Sequence, residues 1–213
     1  PDKTMDIFSM LGKNRRLEKS QDHIDFLKEM YTLSEDYSPY ENQSLFLEGT
    51  SSLVMDRINK IAYMGVSARS NLELAEIWSQ KNNFTLIPFE TNSHTGGSIY
   101  HSDVMMYIGT ELAVVCEDSI TNGKSEVVES LERTHELMKI NQSQLLDFCG
   151  NCIEVKDDQG RLCLIMSSKA VSGYDDSQRA ILDQSYNRII HSDLSTIENY
   201  GGGSARCMIM ELY

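Results

Sequence analysis

The alternation of apolar and polar positions changes character after Pro39. Before it, apolar residues fall on one rough helical face, which predicts a helix over residues 15–31. After it, short apolar runs alternate with an amphipathic stretch. This pattern predicts two strands, a helix and a third strand, over residues 52–56, 60–66, 71–81 and 84–89.

The same order of elements recurs twice. A second pass has predicted strands at 103–108 and 112–116, a helix at 125–138 and an extended piece at 139–140. A third has a hairpin of 152–156 and 161–166 around Asp157-Asp158-Gln159-Gly160, a helix at 175–190 and an extended piece at 195–198. A fourth pass begins at residue 205. Repeats of about 50 residues favour a propeller-like ring of α/β units, and a plain α+β sheet is the alternative.

Composition agrees with a folded domain. The chain has 213 residues, 40% of them hydrophobic, so we expect one domain, with two left open. The apolar runs at 112–116 and 162–166 are far too short to span a bilayer, and no signal peptide is visible. Because the first residue is Pro1 rather than Met, we expect that an N-terminal part is missing.

The formal net charge of −13 argues against a nucleic-acid partner, which requires clustered Lys and Arg. It is compatible with a small cationic substrate, which a negative cleft would attract. A solubilising acidic surface is the simpler cause of most of this charge.

The chain has five cysteines, an odd number, and three lie among strand-like apolar residues. This is typical of a reduced, cytoplasmic protein. Cys149 and Cys152 have CxxC spacing. Because no second pair of ligands lies nearby, packed free thiols are favoured over zinc or a redox dithiol. We therefore expect no metal and no cofactor.

Residues able to do chemistry fall just before, or at, the first strand of each pass. In a ring of repeated units, equivalent positions face a common centre, so residues about 50 positions apart would converge. The set predicted to meet there is Glu48, His101, Asp103, Asn151 and Cys207.

Cys207 is the candidate nucleophile. It ends the glycine-rich segment 201–207 and precedes an apolar run predicted to be a strand. Glycine allows close backbone approach to a ligand, and a thiol there can be exposed yet rigidly held. A catalytic thiol needs a base or cation nearby. The alternative is a buried structural cysteine.

His101 is the candidate base, and Asp103, two residues on, would share one face of a strand with it and bind substrate. The alternative for His101 is a structural role. His94 lies in a predicted loop and is assigned to structure. The remaining histidines lie on or beside predicted helices and are expected to be solvated: His23, His135 and His191.

Glu48 ends the apolar run 45–47 beside Gly49 and is a candidate substrate ligand. Arg69 ends a predicted strand and could hold a substrate carboxylate through two hydrogen bonds. A surface arginine at a helix start is the alternative. Asn151, at the start of the third pass, is placed with the substrate-binding residues.

Together these residues resemble the superfamily of guanidino-group-modifying enzymes, which contains arginine deiminases, amidinotransferases and dimethylarginine hydrolases. The resemblance covers nearly the whole chain, in the family's order. It is carried by Glu48-Gly49, Ser67-Ala68-Arg69, His101-Ser102-Asp103 and the segment 202–207. The longer matching segments look most like the bacterial amidinotransferase-like branch of citrulline-utilisation hydrolases. These segments are residues 47–50, 99–101, 104–106, 14–18 and 201–208.

The resemblance implies a pentein, a five-unit α/β propeller around a central site. This chain would be a single catalytic domain over 1–213, an incomplete ring corresponding to about the C-terminal two-thirds of a longer chain. The family also places a guanidinium-binding aspartate in its N-terminal portion, for which this sequence has no match.

The resemblance also implies a mechanism. Glu48 and Asp103 would hold a guanidinium, Cys207 would attack its central carbon, and His101 would protonate the leaving nitrogen and then activate water. The substrate would be a small cationic guanidino compound, or a ureido compound. An amidinotransferase, in which an amine replaces the water, is one alternative, and a non-catalytic pentein-fold binding protein is another. Oligomeric state is not readable, and a homodimer is left open.

Overall fold

The structure, a computed structural model, describes residues 3–212. Its first elements are two parallel strands joined through a helix: β1 (Thr4–Ile7), α1 (Gln21–Lys28) and β2 (Thr32–Asp36). The continuous helix predicted over 15–31 is wrong. A 3₁₀ turn at Arg15–Lys19 is separated from α1 by Ser20, which is extended, and whose hydroxyl accepts the His23 N–H. Such a serine caps a new helix and ends the preceding turn.

Three repeats follow a second 3₁₀ turn, Ser38–Gln43. The first contains α2 (Gly49–Ser52), β3 (Val54–Asp56), β4 (Ile61–Gly65), α3 (Leu72–Asn82) and β5 (Thr85–Thr91). The second contains β6 (Met106–Ile108), β7 (Leu112–Val115), β8 (Ile120–Asn122), α4 (Lys124–Thr134) and β9 (Glu136–Lys139). The third contains α5 (Gln142–Leu146), β10 (Ile153–Lys156), β11 (Leu162–Ser167), α6 (Ser168–Gly173), α7 (Asp176–Ser185) and β12 (Arg188–Ser192).

Each repeat has the same topology. Its first two strands are antiparallel, a helix follows, and its last strand lies parallel to the second. Within residues 3–212 the strands form four sheets, one for each repeat and the β1–β2 pair, and β8 adds an antiparallel strand to the sheet of the first repeat. The predicted strand–strand–helix–strand repeat is confirmed.

Local signals explain these elements. Gly160 has φ +75° in the β10–β11 turn, a conformation that glycine adopts without steric cost. Asp157 accepts the N–H groups of Gln159 and Arg161 across the same turn. Asn71 caps α3 by accepting the Leu74 N–H. Turn and cap residues of this kind are readable from sequence.

Two predicted helices were too long. The helix predicted over 125–138 ends at Thr134, and the one over 175–190 ends at Ser185. In both, the residues that follow pair with a neighbouring strand, as β9 and β12. Pairing with an existing strand edge overrides weak helical preference.

The predicted extended piece at 195–198 is instead helix α8 (Ser195–Gly201). The strand predicted after 205 is also wrong, because a 3₁₀ turn, Arg206–Met208, lies there and no strand is described in 205–212.

The first strands of the three repeats face a common cavity. Met55 of β3, Tyr107 of β6 and Glu154 of β10 line it, together with Asp103 and Arg206. This placement brings the starts of successive repeats together, as the repeat pattern predicts. Among the helices described in residues 3–212, none combines the length and apolar character that crossing a membrane requires.

Candidate active site

Glu48 and His101 form a buried pair. Glu48 immediately precedes α2, His101 immediately precedes a 3₁₀ turn at Ser102–Val104, and Glu48 Oε2 lies 2.8 Å from His101 Nε2. Ser102 holds the two segments together: its hydroxyl donates to the Ser52 carbonyl at 2.7 Å and accepts the Gly65 N–H at 2.9 Å. The carboxylate therefore orients the imidazole from a rigid frame.

The N-terminal segment places a hydrogen-bond donor and a positively charged side chain beside the Glu48 carboxylate. The Leu11 N–H donates to its Oε1 at 2.9 Å, and Arg15 Nη1 lies 3.3 Å from its Oε2. Burial raises the pKa of the Glu48 carboxyl, but the bonds from His101 and Leu11 and the nearby Arg69 charge outweigh it, and the pKa is lowered. Glu48 is therefore ionised at neutral pH.

Arg69 lies on the same side. It sits in the turn between Ser67 and Ser70 after β4, with its Nη1 3.6 Å from Glu48 Oε2 and its guanidinium over the Tyr100 ring at 5.2 Å. The side chains of Arg15 and Arg69 are each 33% exposed, whereas that of Glu48 is 1% exposed. Two guanidinium groups thus separate the buried carboxylate from solvent.

Arg15 was not among the residues predicted for the site. Its only sequence signal is the Asn14-Arg15-Arg16 element, and nothing local shows that it reaches residue 48. The 3₁₀ turn that carries it is anchored by Lys19, which donates to the Phe8 carbonyl at 2.9 Å and pairs with Glu41 at 2.5 Å.

Cys207 lies in a tightly built turn. Helix α8 ends at Gly201 and is followed by the cap residue Gly202, which has φ +71°. A Cβ on Gly203 would lie 2.9 Å from the Cys207 sulfur. The Tyr100 hydroxyl donates to the Gly202 carbonyl, and the buried Ser204 hydroxyl donates to Glu198 at 2.7 Å. Glycine at 203 is required by this close approach.

Asp103 is the carboxylate next to the thiol. Its Oδ2 lies 3.7 Å from Cys207 Sγ. The expectation that Asp103 shares one strand face with His101 is wrong, because the segment is a 3₁₀ turn and the two side chains contact different partners. Burial raises the pKa of Asp103. Burial, and then the Asp103 charge, raise the pKa of Cys207 to about 12.

Asn151 connects these segments. It is fully buried, and its Nδ2 lies 2.7 Å from the Asp103 carbonyl oxygen and 3.2 Å from Cys207 Sγ. Its Oδ1 accepts the Ser204 and Arg206 N–H groups. Direct contacts thus link Arg69, Glu48 and His101 on one side, and Asp103, Asn151 and Cys207 on the other. His101 immediately precedes the turn that contains Asp103, which joins the two groups. All six predicted residues therefore lie in one cluster, while their chemical roles stay predictions.

The other histidines lie elsewhere. His94 and His23 are exposed. The expectation that His135 is solvated is wrong: it is buried, with its Nδ1 4.0 Å from Asp56. His191 is exposed but belongs to strand β12 rather than to a helix.

The remaining cysteines are packed inside the protein. Cys149 and Cys152 are buried free thiols, and burial raises the pKa of both, that of Cys149 to about 12. Over residues 3–212, no group of three or more His, Cys, Asp or Glu side chains is arranged to hold a metal ion.

Several solved structures share the fold of this chain. The N-terminal domain of ArgZ, an arginine dihydrolase from cyanobacteria, matches 99% of this chain and 71% of its own length, with a TM-score of 0.77 and 15% identity. AgrE with ornithine and NAD⁺ matches with a TM-score of 0.75 and 16% identity, over 99% of this chain and 28% of AgrE. A dimethylarginine dimethylaminohydrolase adduct with 4-chloro-2-hydroxymethylpyridine matches with a TM-score of 0.66 and 16% identity. The match covers 98% of this chain and 73% of that protein.

The chain is thus a member of the pentein superfamily of guanidino-modifying hydrolases and amidinotransferases. Within it, the chain belongs to the family of eukaryotic N,N-dimethylarginine dimethylhydrolases, whose family model matches residues 1–213. No individual curated protein matches the sequence.

Proposed function

We propose that this protein is a cysteine-dependent hydrolase of an arginine-like guanidino compound, with Cys207 as the nucleophile. The observation that carries the proposal is the placement of the Cys207 thiol 3.7 Å from the buried Asp103 carboxylate, in one cluster with the Glu48–His101 pair. A thiol, an imidazole and two carboxylates are the groups that substitution at a guanidinium carbon requires.

Asp103 would bind the guanidinium group. It is buried beside the sulfur, and a cationic ligand would compensate its charge there. Glu48 would contribute a second negative charge, although its oxygens are already engaged with His101, Leu11 and Arg15. We assign Glu48 mainly to orienting His101 and stabilising its protonated form.

The bound cation would activate the nucleophile. In the free protein the pKa of Cys207 is about 12, so the thiol is neutral at pH 7. A guanidinium beside it favours the thiolate and lowers that pKa. The thiolate attacks the guanidinium carbon, His101 delivers a proton to the departing nitrogen, and an amine or ammonia leaves.

The covalent thiouronium intermediate is then hydrolysed. His101, now neutral, takes a proton from a water molecule as the water attacks the same carbon. The C–S bond breaks, the sulfur leaves as thiolate, the second proton of the water passes to solvent, and a ureido product forms. The hydrogen bond with Glu48 keeps the imidazole in position for both proton transfers.

Arg69 would bind the carboxylate of an amino-acid substrate, and Arg15 lies where it could share that contact. Both guanidinium groups are partly exposed above the buried carboxylates, which matches a substrate with a cationic end inside and an anionic end outside. The dimethylarginine hydrolase family and the arginine dihydrolase neighbour support this substrate class.

We infer further that the three sheets are successive units of an α/β propeller around the cavity lined by β3, β6 and β10. The equivalent position of the three strands supports this arrangement.

We place the reaction in the cytoplasm, since all five cysteines are free thiols, as is typical of a reducing compartment.

The test is product formation by the purified protein with arginine, methylated arginines, agmatine and citrulline. We expect a ureido product from a guanidino substrate, together with ammonia or a methylated amine, and no product from Cys207→Ser. Turnover that requires an added amine would identify an amidinotransferase. Binding of these compounds with no turnover under either condition would make the protein a binding protein and overturn the proposal.

A further inference from the structure

We propose that Asn151 positions the Cys207 nucleophile by donating a hydrogen bond to its sulfur, and that it does not contact substrate. The inference rests on the proposed function of Cys207. It concerns a residue that lies 56 positions away along the chain and carries no charge.

The side chain of Asn151 uses its whole hydrogen-bonding capacity within the protein. Its Oδ1 accepts the Ser204 N–H at 3.2 Å and the Arg206 N–H at 3.1 Å. Its Nδ2 donates to the Asp103 carbonyl oxygen at 2.7 Å and to Cys207 Sγ at 3.2 Å. An amide offers two donors and two acceptor positions, so none remains for a ligand.

The network also determines which end of the amide faces the sulfur. Two backbone N–H donors lie on one side of the side chain, and a backbone carbonyl on the other. Rotating the amide by 180° would set donor against donor and acceptor against acceptor. The NH₂ group is therefore the end that meets the sulfur.

A neutral hydrogen-bond donor at this position stabilises the Cys207 thiolate. The Asp103 carboxylate beside the sulfur opposes formation of the thiolate, and so does burial. A hydrogen bond donated to the sulfur favours the thiolate. Because Asn151 also holds the backbone of Ser204, Arg206 and Asp103, the same side chain keeps the thiol and the carboxylate at their separation.

The test is the pH dependence of Cys207 alkylation by iodoacetamide in substrate-free protein, with the labelled residue located by mass spectrometry. It needs no turnover, so it gives an answer even if the proposed reaction is wrong. The variants are Asn151→Ala, which removes the donor, and Asn151→Asp, which has the same shape but places an acceptor against the sulfur. Asn141→Ala is the matched control, since Asn141 caps α5 and is not among the contacts of the cluster.

We expect slower alkylation of Cys207 in Asn151→Ala at every pH. The alkylation rate should fall about three- to tenfold for each unit by which the thiol pKa rises. The smaller fraction of thiolate is partly offset by the greater nucleophilicity of a more basic thiolate. Asn151→Asp should show a larger decrease, and Asn141→Ala the wild-type rate. In turnover, Asn151→Ala should lower kcat with KM within about twofold.

Thermal unfolding identifies variants that fail to fold, and Asn151→Ser then takes their place. A wild-type alkylation profile in a folded Asn151 variant would overturn the proposal. So would a raised KM with unchanged kcat, since that is the signature of a lost substrate contact.

Discussion

Glu48 Oε2 and His101 Nε2 lie 2.8 Å apart, although 53 residues separate them in sequence. The bond joins the start of the first repeat to the start of the second. It holds the imidazole in one tautomer and orientation, and it places a negative charge where a protonated imidazole would form.

Glu48→Gln should lower kcat by about 10²- to 10³-fold, since the imidazolium loses its charged partner while a hydrogen bond to Gln remains possible. The measurement is steady-state turnover at neutral pH. Glu136→Gln, the same substitution at an exposed position outside the cluster, is the control for the altered charge.

The stability of Glu48→Gln should depend on pH. The pKa of Glu48 is lowered from 4.5 in the folded protein, so its stabilising contribution is present above pH 4.5 and is lost as pH falls through the lowered value. Wild-type protein should therefore unfold at a higher temperature than the variant at pH 7. The gap should shrink in acid, and a gap that grows in acid would contradict the assignment.

Asp103→Asn should stabilise the substrate-free protein while removing activity. Burial raises the pKa of Asp103 above 3.8, so folding favours the protonated carboxyl and stability is lost as pH rises through the folded-state pKa. The variant carries no such penalty. Its Tm should exceed that of wild type at pH 8 and match it below pH 3.8, as differential scanning calorimetry would show. A variant less stable than wild type at pH 8 would refute this.

Gly203→Ala should reduce kcat by about 10²-fold, because a displacement of the nucleophile by an ångström has that order of effect. The added Cβ would lie 2.9 Å from Cys207 Sγ. Gly97→Ala is the matched control, since a Cβ there meets nothing within 4 Å. Equal activity of both variants would show that the turn is more adaptable than its geometry indicates.

Adding guanidinium ion should lower the pKa of Cys207 from its value of about 12, because a cation beside the thiolate stabilises it. Titration of the thiolate absorbance, with Cys207→Ser as the blank, measures this directly. If guanidinium ion inhibits turnover but leaves the Cys207 pKa unchanged, the cation binds without activating the thiol, and the prediction is wrong.

Ser102→Ala should destabilise the protein by about 2 kcal/mol, since it leaves the buried Gly65 N–H without its partner and removes the bond to Ser52. For a chain of this length that corresponds to a Tm lower by roughly 4–8 °C. Ser93→Ala, in an exposed loop, provides the comparison. A Tm within a degree of wild type would mean that water replaces the hydroxyl.

The repeat was predictable because its signals are local. Alternating apolar residues, the Asp157–Gly160 turn and the Asn71 cap each act within a few residues. They indicated the three strand–strand–helix–strand units and the equivalent positions where the chemical residues lie. The ends of helices α4 and α7 were not predictable, since they depend on strand pairing with partners elsewhere in the chain.

By itself, therefore, the sequence determined the strand–strand–helix–strand repeat and the candidate residues at the start of each pass. Only the tertiary structure decided what each residue contacts. It places Arg15 against Glu48, and it makes the turn of Cys207 3₁₀ rather than extended. It also pairs the Asn151 amide with backbone groups and the Cys207 sulfur. The physical reason is range. Propensity and turn chemistry act between neighbours, whereas these hydrogen bonds join segments 33 to 104 residues apart and form only once packing brings the repeats together.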